Sequence, residues 1–266
     1  MRLAVEEGSL IGECNQGIIT YRRSIYDATH YNYHTMNQHT RVLTIHFNEE
    51  IAPYETKLFR GAILNVLGEQ ADILFHNHKE DGFNYAYPLI QYKRIHKKAA
   101  IVCLNEGADI IGLLLSKVPL TLTLGERIVE FSIEKIIPQR ITTQIWDDAF
   151  KYHLRRWLPL NSENYKTYRT LETEVERIEL LERLLTANLM SYLKGMGIWI
   201  EQKLSCKILK LSPPFLVKNK EISLMSFDID FKTNLSLPNY IGVGKNSSLG
   251  FGTITQIRQK NQTEKI

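Results

Sequence analysis

The stretch RVLTIHF, residues 41–47, followed by Pro53 and the run KLFRGAILNVLG, residues 57–68, decides how the first half of the chain folds. Val42, Thr44 and His46 alternate with Leu43, Ile45 and Phe47, the period of two expected of a strand. Pro53 suits the first position of a helix, and Leu58, Phe59, Ala62, Ile63, Val66 and Leu67 then form one apolar face that ends at Gly68. Downstream, FNYAYPLIQYKRI (83–95) and KKAAIVCLNE (97–106) read as strands joined by a short basic turn at His96–Lys98. GADIIGLLLSKV (107–118) reads as a short apolar helix, and LTLTLGERIVEFSIEKII (120–137) as a hairpin turning near Gly125–Glu126. Strand, helix, strand, strand, helix, strand is the split βαβ, or ferredoxin-like, order.

The second half repeats that outline less tidily. ITTQIWDDAFKYHLRRWL (141–158) is strand-like. Asn161 or Ser162 caps a long helix whose apolar positions fall at Leu171, Val175, Ile178, Leu181, Leu185, Leu189 and Leu193, ending at Gly195 and Gly197. KLSCKILKL (203–211) and ISLMSFDIDFKTN (222–234) are strands, then come a glycine-rich loop and a last strand, GFGTITQI (250–257). The expected class is α+β, with two tandem ferredoxin-like (RRM-like) βαββαβ domains at 39–138 and 139–260. Residues 1–38 show no sustained period and are expected to be an N-terminal appendage outside the domains.

Composition limits the possibilities. With 266 residues, 44% hydrophobic and 23% charged, the chain can bury a core and does not read as disordered. Its longest apolar run, Ile110–Leu115, is far short of the ~20 residues that span a bilayer, and Glu6 and Glu7 sit where a signal peptide is apolar. Cys14, Cys103 and Cys206 are odd in number and far apart, with no C-x-x-C pair, which argues against a disulfide framework or a thiolate zinc site and fits a reducing cytoplasm. The net charge of +4 divides into −2 over residues 1–135 and +6 over 136–266, a bias that suits a polyanionic partner.

The most specific motif is Gly242-Val243-Gly244-Lys245-Asn246-Ser247-Ser248-Leu249-Gly250-Phe251-Gly252. No helix follows it, so it is not a dinucleotide fingerprint, and it lacks the Gly-Lys-Ser/Thr ending of a P-loop. Glycines admit close approach of a phosphate, and Lys245, Ser247 and Ser248 add groups to hold one; the structural alternative is a hairpin before an edge strand. This G-V-G-x5-G-F-G pattern on tandem ferredoxin-like domains resembles the repeat-associated mystery protein (RAMP) superfamily. Within it, the chain is similar to CRISPR-associated endoribonucleases that cut precursor CRISPR RNA inside its repeats. FRGAILNVLG (59–68), the His-Asn-His that follows, YPLIQYKRI (87–95), AIVCLNEGADII (100–111) and WLPLNSENY (157–165) leading to NLMSYLKGMG (188–197) carry the likeness, from about Thr40 to Ile257. The subgroup resembled has two histidines after the first helix.

His76-Asn77-His78 places two imidazoles at i and i+2, on one side of an extended segment. A neutral imidazole can take the proton of a ribose 2′-hydroxyl, and a protonated one can give a proton to the departing 5′-oxygen. The resemblance implies that reaction without a metal or other cofactor, leaving a cyclic phosphate and a 5′-hydroxyl. It places the family histidine on His76 or His78, with His78 favoured. Two such histidines could also bind zinc with Asp81 or His96 as a further ligand, or stand in a solvated loop. Tyr85 lies at the subgroup's tyrosine spacing and, with Tyr87, alternates onto one face, where it can orient a phosphate, stack a base or half-bury in a strand. Lys79, Lys93 and Arg94 are positional candidates for steadying the transition state, and the family's tyrosine in the first helix is absent, the region reading Gly61-Ala62-Ile63-Leu64.

RNA-binding candidates are Lys93, Arg94, Lys97 and Lys98 in the first basic turn. Arg155 and Arg156 follow in a cluster with Lys151, His153 and Trp157, and Gly242, Gly244, Lys245, Ser248, Gly250 and Gly252 complete the set in the loop. Charged turns capping hairpins are the bland alternative for the first cluster. The leucine face of 171–193 is expected to be core or the seam of a homodimer. Expected partners are CRISPR repeat RNA and a CRISPR interference complex, with no membrane. Two alternative functions remain: a non-cleaving RNA-binding subunit, and a metal-dependent hydrolase using His76 and His78.

Overall fold

The computed structural model describes residues 3–6, 9–14, 17–21, 39–70, 78–79, 82–83, 87–219 and 222–257. Strands β1 (Leu3–Glu6), β2 (Ser9–Cys14) and β3 (Gly17–Tyr21) pair in chain order as an antiparallel meander. Each is too short to establish a period in sequence, which is why the first residues read as patternless.

The first ferredoxin-like unit comprises β4 (His39–Glu50), α1 (Glu55–Leu67), the two-residue strands β5 (His78–Lys79) and β6 (Gly82–Phe83), β7 (Ile90–Ile95), β8 (Lys98–Leu104), the short helices α2 (Glu106–Ile110) and α3 (Gly112–Leu115), β9 (Leu120–Leu124), β10 (Arg127–Phe131) and β11 (Ile133–Thr142). Its sheet runs β11-β4-β8-β7, the 4-1-3-2 order of the fold, with antiparallel neighbours throughout. The expected hairpin exists as β9–β10, but it forms a separate two-stranded sheet. The fourth strand is β11, which pairs with β4 from Ile133–Phe47 to Thr142–His39 and crosses residue 138, where the sequence placed the change of domain. Helix α1 begins at Glu55, so Pro53 lies in the turn before it.

The second unit comprises β12 (Ile145–Trp157), α4 (Ser162–Thr170), α5 (Glu174–Gly195), β13 (Cys206–Leu211), β14 (Phe215–Asn219), β15 (Ile222–Leu235) and β16 (Thr253–Gln256). Its sheet order β13-β15-β12-β16 is the same 4-1-3-2 arrangement, with β14 added on β15. The single helix expected after Asn161 is two. The Asn161 side chain accepts the Asn164 N–H at 2.7 Å to start α4, and Thr173 and Glu176 form a reciprocal capping box that starts α5. The crossover from β15 to β16 is a loop holding a single 3-10 turn at Ser247–Leu249.

Alternation along the first sheet explains how the units pack. Ile45, Phe47, Ile90, Tyr92, Ile101 and Cys103 face α1 and its neighbours Ile111 and Leu114. Val42, Ile95, Ala100, Val102 and Leu104 face the other way, into one core with Tyr152, Leu154 and Trp157 of β12 and the α5 leucines. Both faces of the sheet are therefore buried, and the two units share a core. Leu181, Leu185 and Leu189 have no exposed surface, so the leucine face is core and the homodimer seam expected on it is not there. Tyr192 of α5 completes the junction, its hydroxyl within 3.2 Å of Thr40 and 3.3 Å of Thr143. Among the described residues, no helix is long and apolar enough to cross a membrane.

Candidate nucleic-acid interface

The residues expected to carry catalysis lie about β5. His78 opens that strand, with its backbone opposite Phe83. The His78 side chain, and His76 and Tyr85 entirely, lie outside the described residues. Tyr87 is described and is structural: it is buried, its ring meets Tyr192 at 5.3 Å, and its hydroxyl donates to the Gly242 carbonyl at 2.8 Å. Burial pushes its phenol well above the usual tyrosine range, with Tyr192 adding to the rise and Gln91 opposing it. The chain leaving the histidine segment is thus anchored on the second unit's glycine loop.

That loop is docked on β7 by alternate residues of one face. Gln91 accepts the Gly242 N–H at 2.8 Å and donates to the Tyr87 hydroxyl at 3.0 Å, closing a ring of three hydrogen bonds. Lys93, two residues on, donates to the Ser247 carbonyl at 2.9 Å. Lys93 is 1% exposed, and burial pushes its amine down to about 7. The expectation that Lys93 grips RNA is therefore corrected: its stem and amine lie under the loop, spent on a backbone carbonyl. The signal was present in Ile-Gln-Tyr-Lys, two polar residues on one face of a buried strand, which on a half-exposed strand would simply face water.

The glycines of the loop serve packing first. A Cβ on Gly252 would stand 1.9 Å from the Val243 carbonyl oxygen, and one on Gly244 would stand 2.9 Å from the Trp157 indole nitrogen. Gly252 also has φ of +59°, which disfavours any side chain. Gly242 and Gly252 spend both backbone polar groups inside the protein, so neither can offer an N–H to a phosphate. Of the other loop residues expected to bind RNA, Lys245 is exposed, and Gly244, Ser248 and Gly250 are half-buried.

The basic residues divide in the same way. Lys98 is paired with Glu134 at 2.8 Å. Trp157, grouped from sequence with the basic residues of the second RNA-binding cluster, is fully buried and donates to Asn188 at 2.9 Å. His153 bonds Asp230. Lys97 is exposed at the tip of the β7–β8 hairpin, where His96 and Lys97 both have positive φ, as in a type I′ turn. Arg155 is exposed on β12. Arg94 and Arg156, read from sequence as members of separate clusters, meet at one place: Arg94 Nε donates to the Ile51 carbonyl and Arg156 to the Pro53 carbonyl at 3.5 Å, on the turn before α1.

The family model of the Cas6b N-terminal domain matches residues 36–142, and that of the Cas6b C-terminal domain matches 144–257. The chain belongs to the Cas6b family. A crystal structure of Cas6b matches with a TM-score of 0.76 at 26% identity, over 82% of this chain and 100% of that one. A second crystal structure, of the CRISPR RNA processing endoribonuclease Cas6b, matches with a TM-score of 0.64 at 25% identity over the same shares. Csf5, a type IV Cas6 crRNA endonuclease, shares the fold at 13% identity, with a TM-score of 0.57 over 83% of this chain and 100% of its own. An uncharacterized Methanocaldococcus jannaschii protein is 34% identical over 114 residues, 42% of this chain and 76% of that protein. In Cas6b terms, the glycine loop belongs to the C-terminal domain and the histidine segment to the N-terminal one, and the loop rests on β7 of the N-terminal domain.

Proposed function

We propose that this member of the Cas6 family of CRISPR RNA processing endoribonucleases cleaves precursor CRISPR RNA within its repeats without a metal. One of His76 and His78 takes the proton from a ribose 2′-hydroxyl. The 2′-oxygen attacks the adjacent phosphorus and the bond to the 5′-oxygen breaks. The other imidazole, protonated, gives its proton to that 5′-oxygen, leaving a cyclic phosphate and a 5′-hydroxyl. Tyr85 orients the attacked phosphate. Lys97, Arg155 and Lys245, exposed on β-hairpin tip, strand and loop, hold the RNA backbone together with Ser248. The observation that carries this reading is the paired histidine, His76-Asn77-His78, directly after α1 in a chain whose two halves both match Cas6b.

The test is single-turnover cleavage of a labelled repeat RNA in EDTA. Cleavage is expected in the wild type, with a drop of about 10²–10⁴-fold in His78→Ala at little change in affinity. Binding without cleavage would make the chain a non-cleaving RNA-binding subunit. Cleavage only with added metal, or of a substrate with a 2′-deoxy nucleotide before the cut, would favour a metal-dependent hydrolase.

A further inference from the structure

Arg156 occupies a position the backbone has been bent to provide. Pairing of β12 with β15 passes from Leu154–Ile229 to Trp157–Phe227, one extra residue on β12, which is a bulge. Within it Arg156 has φ of +52°, an uncommon conformation for a residue with a side chain. Asp228 accepts the Arg156 backbone N–H at 2.7 Å, and the Arg156 carbonyl accepts the Gly252 N–H at 3.1 Å, so the bulge is pinned on both sides. The guanidinium lies 4.4 Å from the centroid of the Phe251 ring and reaches across to the first unit.

On that unit, Arg94 leaves β7 on the face opposite Lys93 and bonds the same turn, Ile51–Pro53. The turn is itself tied to the β7–β8 hairpin by Ile51 N–H to Lys97 carbonyl at 3.0 Å. Two guanidinium groups from different domains therefore converge on three residues. Among the described residues, neither is in an ion pair with a carboxylate, although Arg41, Lys98, Arg127 and Lys207 all are. Burial pulls the Arg156 guanidinium below its usual range; Asp228 offsets this in part, and Arg94 adds to it. Holding like charges together with neither guanidinium paired to a carboxylate is unfavourable unless an anion joins them.

We propose that Arg94 and Arg156 form one phosphate clamp across the domain seam, gripping a single phosphodiester of the bound RNA. The site rests on the reading of the chain as an RNA-processing enzyme and names the group recognised within it. Planar guanidinium forks suit phosphate oxygens, and one phosphate held from both domains fixes the RNA strand relative to the histidine segment and the glycine loop together.

The experiment combines repeat RNAs carrying one neutral methylphosphonate linkage per position with wild-type protein, Arg94→Ala, Arg156→Ala and the double variant. Each single change is expected to weaken binding about tenfold and to lower the log–log salt slope by about one. The double variant is expected to lose less than the product of the singles, because both groups serve one phosphate. One methylphosphonate position should weaken wild-type binding and have no further effect on the double variant. Strict additivity, unchanged salt slopes, or no such position would overturn the clamp. Arg94 is exposed, so its variant and the scan on wild-type protein keep the test decisive even if Arg156→Ala disturbs the bulge. Failure of the wild type to bind or cut repeat RNA would instead defeat the functional reading.

Discussion

The two ferredoxin-like units have the same strand order, yet they fill their second crossover differently. In the N-terminal unit the chain between β8 and β9 forms α2 and α3, and Ile111 between them and Leu114 of α3 cover the same face of the sheet as α1. In the C-terminal unit the chain between β15 and β16 forms no α-helix; it lies over β7 of its neighbour, held by Tyr87, Gln91 and Lys93. A helix serves its own domain, whereas a loop that can pack backbone to backbone welds two domains together. The glycines are what permit that close packing, so the same substitution should have opposite consequences in the two crossovers.

Gly252→Ala is the largest expected effect. Its Cβ would overlap the Val243 carbonyl oxygen, and φ of +59° adds backbone strain, for a combined loss of about 3 kcal/mol or more. Gly112→Ala, at the start of α3 with nothing within 4 Å of the added Cβ, should be neutral or stabilise by about 0.4–1 kcal/mol. Urea unfolding of both variants measures the contrast. Similar midpoints would show that the loop is not welded in place.

Next in size is the buried amine beneath the loop. Burial lowers the Lys93 pKa from 10.5 to about 7, so between those values the unfolded chain holds a proton that the folded one has released. Stability then rises with pH across that window, by about 1 kcal/mol per unit, and is lost as pH falls toward 7. Lys93→Met should flatten the rise in melting temperature between pH 7 and 10 while leaving its trend below pH 6 unchanged. A wild-type curve already flat over that range would mean that the amine is solvated and the loop less tightly seated.

What could be read beforehand divides along the same line. β4, α1 and the β7–β8 hairpin were legible because their patterns are local: alternation, an apolar stripe, a terminating Gly68. The role of β11 was hidden because Ile133–Thr142 has little apolar alternation and takes its place from pairing with β4. At the candidate site, Lys245 and Arg156 could be named from charge alone. The burial of Lys93 and Trp157, and the meeting of Arg94 with Arg156, depend on how two domains pack, which no single segment encodes. The apparent single helix after Asn161 is a further case, since Leu171 and Val175 continue the apolar spacing across the break between α4 and α5.

That break supplies the smallest contrast, between the helix starts of the two units. Helix α5 begins with Thr173, whose hydroxyl accepts the Glu176 N–H at 3.2 Å while the Glu176 carboxylate accepts the Thr173 N–H at 3.0 Å. The Thr173 N–H and the Thr173 hydroxyl, which donates to the same carboxylate at 2.8 Å, keep the Glu176 carboxyl below its usual range. Helix α1 begins after Tyr54, which is 73% exposed and makes no side-chain cap. Its start is held instead by Glu55, which accepts the Ala52 N–H at 2.6 Å and pairs with Arg127 at 3.0 Å. Thr173→Ala should therefore cost about 1 kcal/mol, and Tyr54→Ala should change stability by less than about 0.5 kcal/mol. Equal losses in thermal melts of the two variants would mean that Tyr54 contributes packing its exposure does not suggest. No loss in Thr173→Ala would mean that α5 is held by its buried leucines alone, and that its capping box only marks where the helix starts.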